Sequence, residues 1–389
     1  MTREEVSTIL NNSTSKENVL ELSTGFGKTA LALDYVKVKT PNTILIVIPR
    51  LVLIENWKEE ISKWGYNDLL NKITFVTYVS LHKHIGKYYD MLIFDEAHHL
   101  SERCRESLVE IKSEYKLFLS ATLQTTLKWW MRTKYKKINF ITVSLKESIE
   151  NDILPDPKII LLPLQLDCRI YNQVLIKQTK NKTNWINCLY SQRWKYLKSY
   201  NCRIQCTQQQ YYNEISNDIE YWKKQSQFKT IFTNKWLRLC GERLKWLSDI
   251  KTDTVKSILK NLKDYRTLTF CNSINQTEEL GKYCINSKNK KANEYLEMFN
   301  NKKIKHITSC EMLSEGVNLS DCRVGIFAVL NSSEILIKQK NGRLLRNANP
   351  VIIIPYYKNT REEELVKKML ENYNTELVQV VNSINDIKI

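Results

Sequence analysis

The sequence predicts an α/β protein built on doubly wound parallel sheets, and three observations carry that prediction. Runs of strand length such as Thr43 to Pro49 (TILIVIP) and Val324 to Leu330 (VGIFAVL) are continuously apolar, as strands covered on both faces must be. Stretches with helical spacing lie between such runs, for example Leu53 to Trp64 (LIENWKEEISKW). The stretch Glu21 to Asp34 (ELSTGFGKTALALD) joins a strand to a helix through a turn with two glycines. A length of 389 residues allows two or three such domains.

In chain order, residues 1–18 read as one helix and a polar turn from Asn11 to Ser15. Val19 to Leu22 is a buried strand, Ser23 to Gly27 a tight turn, and Lys28 opens a helix. Backbone N–H groups of a glycine turn at a helix N-terminus favour an anion. Ser23, Thr24, Gly25, Phe26, Gly27, Lys28 and Thr29 are therefore expected to cradle ATP, with Lys28 on the β- and γ-phosphates and the Thr29 hydroxyl on Mg²⁺. Leu22 stands where the common GxxxxGK[ST] pattern has its first glycine.

Ile73 to Tyr78 (ITFVTY) is a further strand, and Met91 to Phe94 leads into Asp95-Glu96-Ala97-His98. Strand C-terminal ends are the ligand edge of an open α/β sheet. A helix cap accounts for Asp95 alone and leaves His98 without a part. With a phosphate turn upstream, Asp95 is expected to hold Mg²⁺, Glu96 to polarise the attacking water, and His98 to bridge to a second domain. Phe118 to Thr122 (FLSAT) is a strand ending in small polar residues.

Asn151 to Leu166, with three prolines, reads as a crossover into a second domain that ends in a strand. From Cys168 to Ile250 Gln, Tyr, Lys and Trp rise, and helices are expected over Ile215 to Lys224 and Trp236 to Leu247. Trp185, Trp194, Trp222, Trp236 and Trp246 read as a small core, with a basic face left for nucleic-acid backbone. No strand-separating wedge stands out. Val351 to Tyr356 is a strand, Arg361 to Asn372 an amphipathic helix whose acids come first and lysines later, and the last residues a short helix and tail.

A net charge of +17 favours a polyanionic partner. The ten cysteines are scattered, with no second close pair to complete a zinc pattern, so they are expected reduced and metal-free. No apolar run approaches the roughly 18–20 residues of a membrane span, and no signal peptide is read at the N-terminus. A cytoplasmic protein with no membrane partner is expected.

The ordered set STGFGKT, IPRLVLIENW, VTY, DEAH and SAT, followed by TLTFCNSINQTEEL (267–280), ITSCEMLSEGVNLSDC (307–322) and QKNGRLLR (339–346), resembles superfamily 2 helicases and translocases. The resemblance covers roughly residues 19–166 and 251–370. It implies two RecA-like domains, 1–155 and 156–389, the second containing a helical insertion at about 168–250. It implies ATP and Mg²⁺, arginine fingers at Arg343 and Arg346 beside Gln339, and Gly316 and Asn318 near the nucleotide. His98, Ser120 and Thr122 would couple hydrolysis to movement. Pro49, Arg50, Thr77 and Tyr78 on the first domain, and Asn272, Thr308 and Ser309 on the second, would meet nucleic-acid phosphates, which position a strand without reading its sequence.

The implied activity is a nucleic-acid-dependent ATPase that translocates on and unwinds or remodels DNA, acting as a monomer. A duplex translocase that never separates strands, an RNA helicase and a non-hydrolysing clamp are the alternatives. The DEAH segment, the crossover and the stretch KWLRLCGERLKWLSDIK favour DNA over RNA by analogy. Besides Leu22, the chain departs from the family pattern at Asn318, where many relatives have Asp, and at Lys340, where Arg is common. No glutamine precedes Lys28, so the adenine-reading glutamine of such motors has no counterpart.

Overall fold

The computed structural model describes residues 1–169, 171–176, 184–197, 199–286, 288–310, 319, 321–330 and 349–389. The first half alternates strand and helix: α1 (Arg3–Asn11), β1 (Glu17–Leu22), α2 (Lys28–Lys39), β2 (Ile44–Ile48), α3 (Leu53–Lys63), β3 (Ile73–Thr77), β4 (Tyr88–Phe94), α4 (Glu102–Glu110), β5 (Lys112–Ser120), α5 (Thr125–Lys134), β6 (Asn139–Val143) and α6 (Leu145–Glu150). The six strands form one wholly parallel sheet, ordered β3-β2-β4-β5-β1-β6.

Period-two alternation divides the central strands between two cores. Leu20, Leu22, Ile44, Ile46 and Ile48 face one layer with α1, α2 and α3. Val19, Leu45, Val47, Leu92 and Phe94 face the other, with α4 and α5. This is why these strands read as unbroken apolar runs. Helix α3 places Leu53, Trp57 and Ile61 in its buried face, the i, i+4, i+8 spacing of a half-covered helix. Strand β6, which the sequence did not suggest, pairs along β1 at the sheet edge.

The crossover ends, as expected, in a strand, β7 (Lys158–Leu164), which pairs within a second parallel sheet. The insertion follows: β8 (Tyr171–Ile176), β9 (Trp185–Cys188), α7 (Arg193–Tyr196), β10 (Asn201–Cys206), α8 (Gln208–Ser226) and α9 (Ile231–Asp249). The helices expected over 215–224 and 236–247 lie within α8 and α9, but the insertion is not helical throughout. Its first half is a three-stranded sheet, β8-β10-β9, with β10 antiparallel to β8 and parallel to β9. Cys202, Ile204 and Cys206 are buried while Arg203 and Gln205 are exposed, a period of two that marks a strand. Of the five tryptophans only Trp246 is fully buried; Trp185, Trp222 and Trp236 are half-buried, and Trp194 is 46% exposed.

The second sheet continues with α10 (Thr252–Asn261), β11 (Thr267–Phe270), α11 (Ile274–Leu280), β12 (Cys284–Ile285), α12 (Ala292–Asn300), β13 (His306–Ser309), β14 (Val324–Phe327), β15 (Val351–Tyr357), α13 (Arg361–Leu370) and β16 (Val378–Val380). Its order is β12-β13-β11-β14-β15-β7-β16, again parallel and again flanked by two cores. The C-terminal segment is corrected too. The short helix expected near the end is a single 3-10 turn, Ile384–Asp386, and ahead of it Val378–Val380 pairs with β7 and closes that edge of the sheet.

Candidate active site

The turn Ser23–Gly27 leaves the C-terminal end of β1, and Asp95 and Glu96 leave the C-terminal end of β4. Parallel pairing through β5 brings both to one edge. Gly25 and Gly27 lie at φ of 92° and 102°, left-handed conformations that favour glycine. Leu22, in the place of the usual first glycine, is wholly buried at the end of β1 and belongs to the sheet core. Helix α2 has no side-chain cap, which leaves the amides of its first turn to an anion. Beside them the Thr24 hydroxyl is buried without a hydrogen-bond partner. Lys28 Nζ donates to the carbonyls of Leu22 (3.0 Å) and Ser23 (3.4 Å), so its ammonium sits over the turn.

Asp95 is held from four directions. Its Oδ2 accepts from Trp57 Nε1 at 2.9 Å and its Oδ1 from the Glu96 amide at 3.0 Å. Its own amide donates to Val47 O, and its carbonyl accepts from the Tyr78 hydroxyl at 2.8 Å. Burial, followed by the Glu96 carboxylate, pushes the Asp95 carboxyl up to about 6, against the Trp57 hydrogen bond and the Lys28 charge.

Glu96 has φ of 50°, unusual for a side chain of its size. That backbone presents a carboxylate whose buried Oε2 has no hydrogen bond and lies 3.4 Å from His98 Nδ1. His98 Nδ1 is also 3.1 Å from Ser120 Oγ, and Ser120 donates to the Thr122 carbonyl at 2.9 Å. The DEAH and SAT segments are thus joined through one buried hydroxyl.

A cavity of about 730 Å³ runs from the turn along α2 and α3, lined among others by Arg3, Lys28, Asp34, Trp57, Tyr66 and Asp95. The left-handed glycines, the uncapped helix and the orphaned Thr24 hydroxyl fit a polyphosphate. Thr29 and Asp95 carry the hydroxyl and carboxylate oxygens that would suit Mg²⁺ held against phosphates.

Three contributors escaped the sequence reading. Trp57 was placed on a helix but not next to Asp95. Arg3 Nε donates to Phe26 O at 2.7 Å and its Nη2 to Gly25 O at 3.4 Å, bracing the turn from α1. Ser148 on α6 shares a 2.7 Å hydrogen bond with Ser23, hydroxyl to hydroxyl, in a buried spot. Only Trp57 carried a signal, a tryptophan on the buried face of a charged helix.

The residues proposed for nucleic-acid phosphates divide. Arg50 is exposed, while Pro49, Thr77 and Asn272 are half-buried. Tyr78, Thr308 and Ser309 are buried. The Tyr78 hydroxyl is spent on Asp95, and Thr308 Oγ1 donates to Thr277 O at 3.1 Å. Gly316, Asn318, Gln339, Arg343 and Arg346 lie outside the described residues. Among the described residues no group of three or more His, Cys, Asp and Glu could hold a metal ion, and no helix is long and apolar enough to cross a membrane.

Comparison with known proteins follows the same division into two sheets. The family model described as type III restriction enzyme, res subunit, matches residues 2–125. The model for the helicase conserved C-terminal domain matches residues 250–348. A DNA 3'-5' translocase, XPB2 of Sulfurisphaera tokodaii, is 38% identical over 120 residues, spanning 28% of this chain and 27% of that protein. Among solved structures, the Hef helicase domain of Pyrococcus furiosus aligns over 94% of this chain and 96% of its own, with 13% identity and a TM-score of 0.50. The type ISP restriction-modification enzyme LlaBIII bound to DNA aligns over 98% of this chain and 31% of its own, with 12% identity and a TM-score of 0.56. Dbp5 of S. cerevisiae bound to RNA and ADP BeF3 aligns over 97% and 88%, with 10% identity and a TM-score of 0.57. At these identities the structural likenesses are likenesses of fold: two RecA-like α/β domains.

Proposed function

Because the chain belongs to superfamily 2 of the helicases and translocases, we propose that it is an ATPase driven by nucleic acid, DNA first, that converts hydrolysis into movement along the strand. The observation that carries this reading is the convergence of Lys28, Asp95 and Glu96 on one sheet edge, with His98 and Ser120 leading away from it. The amides of the Ser23–Gly27 turn and the Lys28 ammonium bind the phosphates. Thr29 and Asp95 would hold Mg²⁺, which neutralises charge between the β- and γ-phosphates when bound.

Glu96 accepts the proton of the attacking water. Its left-handed backbone and the neighbouring His98 ring hold the carboxylate at the strand end. Gln339, Arg343 and Arg346 act from the second domain, in keeping with the family resemblance. An arginine supplied across a cleft is worth about 10³–10⁵ in rate in comparable NTPases. Turnover then depends on closure of the two domains, whose boundary we put near residue 155, and closure moves them along a bound strand. The charge of +17 and the DNA translocase relative support DNA as the polymer. A cytoplasmic monomer is the simplest setting.

An ATPase assay against single-stranded, duplex and branched DNA and RNA tests this, with Lys28→Ala as the control. We expect stimulation by DNA and loss of turnover in the variant with its fold intact. Full turnover in Lys28→Ala would remove the turn from the reaction.

A further inference from the structure

The insertion ends in a helical hairpin whose tip is built unlike the rest of the surface. Helices α8 and α9 are joined by residues 227–230; there Phe228 is 81% exposed, and Ile231, the first residue of α9, is 74% exposed. Tyr221, one turn and more below on α8, is 55% exposed. The charged residues from 221 to 238 are all cationic, Lys223, Lys224, Lys229, Lys235 and Arg238, with Glu220 and Glu242, the partner of Arg238, just outside.

The exposed pair is not on a loose end. Just beneath it Trp222 of α8 packs on Phe232 of α9, with ring centroids 5.1 Å apart, and Lys235 Nζ sits 3.4 Å over the Trp222 ring. Ring contact and cation–π attraction staple the two helices and hold Phe228 and Ile231 outward.

At the other end α9 is anchored in the second domain. Ser248 Oγ donates to Gln276 Oε1 at 2.7 Å, Gln276 Nε2 donates to Ser248 O at 2.7 Å, and Gln276 Oε1 also accepts from the Asn272 amide at 3.1 Å. Ser248 and Gln276 are both buried. Helix α9, 19 residues and so about 28 Å long, therefore runs from the loop after β11 to the apolar tip.

We propose that the α8–α9 tip is a strand-separating wedge: Phe228 and Ile231 pack on the exposed base pair at the junction of duplex and unpaired DNA, while the surrounding lysines hold the backbones. The proposal rests on the nucleic-acid motor reading and supplies the wedge that the sequence did not reveal. Apolar side chains that enter a base step unstack it, and every base offers a face to an aromatic ring. Lys223, Lys224, Lys229 and Lys235, with no acid between them in the sequence, complement a phosphate backbone. The rigid root lets movement of the second domain reach the junction directly.

The test uses the full chain with Phe228→Ala/Ile231→Ala, and Phe228→Trp as the conservative variant. A forked DNA carries 2-aminopurine at its terminal base pair, whose fluorescence rises on unstacking. We expect a rise on binding with the wild type and with Phe228→Trp, and none with the double variant. Strand separation by the double variant should fall about tenfold or more, while ATPase stimulation by single-stranded DNA stays within about twofold of the wild type.

Equal fluorescence and equal strand separation in wild type and double variant would overturn the wedge. So would a change in the free protein's gel-filtration mass in the double variant with no change at the fork, which assigns the tip to self-association. A fork signal that depends on Phe228 in a protein without ATPase activity would support the wedge and remove the motor reading.

Discussion

Trp57→Phe isolates one hydrogen bond of the candidate site. The indole Nε1 lies 2.9 Å from Asp95 Oδ2, and Trp57 is 1% exposed, so no water replaces the donor easily. Phenylalanine keeps most of the packing against α2 and the sheet while removing the N–H. A hydrogen bond to an ionised acceptor is worth about 1.5–3 kcal/mol. Outer partners that orient a metal ligand typically change metal affinity by about 10–100-fold, or about 1.4–2.7 kcal/mol. The two ranges agree, because in both the loss is the fixed orientation of one carboxylate.

The assay is ATPase rate against free Mg²⁺. The concentration for half-maximal rate should rise about 10–100-fold in the variant, with a smaller change in rate at saturation. Asp95→Asn, which alters the ligand itself, should lose turnover at every Mg²⁺ concentration. An unchanged Mg²⁺ profile in Trp57→Phe would refute the assignment of Asp95 as a ligand oriented by the indole.

Three further outcomes are expected. Glu96→Gln should bind ATP yet turn it over at least about 10²-fold more slowly, the usual contribution of a positioned base; single-turnover kinetics that match the wild type would assign water activation elsewhere. DNA affinity should fall about 10³-fold or more between 50 and 200 mM salt if six or more phosphates are neutralised, and a flat fluorescence-anisotropy response would make the +17 charge incidental. Lys251 and Glu362 form a buried ion pair at 2.5 Å, and Glu362 Oε2 also accepts from the Tyr357 amide. Lys251→Met should cost about 3–5 kcal/mol by stranding the carboxylate, Lys251→Met/Glu362→Gln should recover most of it, and equal losses in urea unfolding would contradict the pairing.

What could be read from the sequence was whatever is local or periodic. Ile44 to Ile48 had to be a covered strand because no polar residue interrupts it, and the two glycines marked Ser23–Gly27 as a tight turn. Strand β6 escaped because Asn139–Val143 lies on the edge and carries only three large apolar residues. The insertion sheet escaped because its alternation in Asn201–Cys206 is short and rests on cysteines. Trp57 and Ser148 escaped for a different reason. Their partners, Asp95 and Ser23, are 38 and 125 residues away, and no spacing rule reaches a contact made by tertiary packing. The burial of Tyr78, Thr308 and Ser309 could not be read from motif position, because burial is decided by the layer that covers them.

The contacts missed in this way change how the first domain connects to the second. The motif reading gives one route, from Glu96 through His98 to Ser120 and Thr122, and it leaves from the β4 side of the sheet. The Ser23–Ser148 bond gives another, from the phosphate turn itself. Ser148 is wholly buried on α6, while Leu145 of the same helix and Leu154 just beyond it pack into the core of the second sheet. A shift of the turn around a phosphate therefore meets a helix already embedded in the far domain. Close-packed interiors transmit such displacement rather than absorb it. The two routes start from different chemical groups, the Glu96 carboxylate proposed to activate water and the turn proposed to hold the phosphates. On the proposed reading, such an arrangement would couple the second domain separately to binding and to hydrolysis, as a motor that grips in one state and releases in another requires.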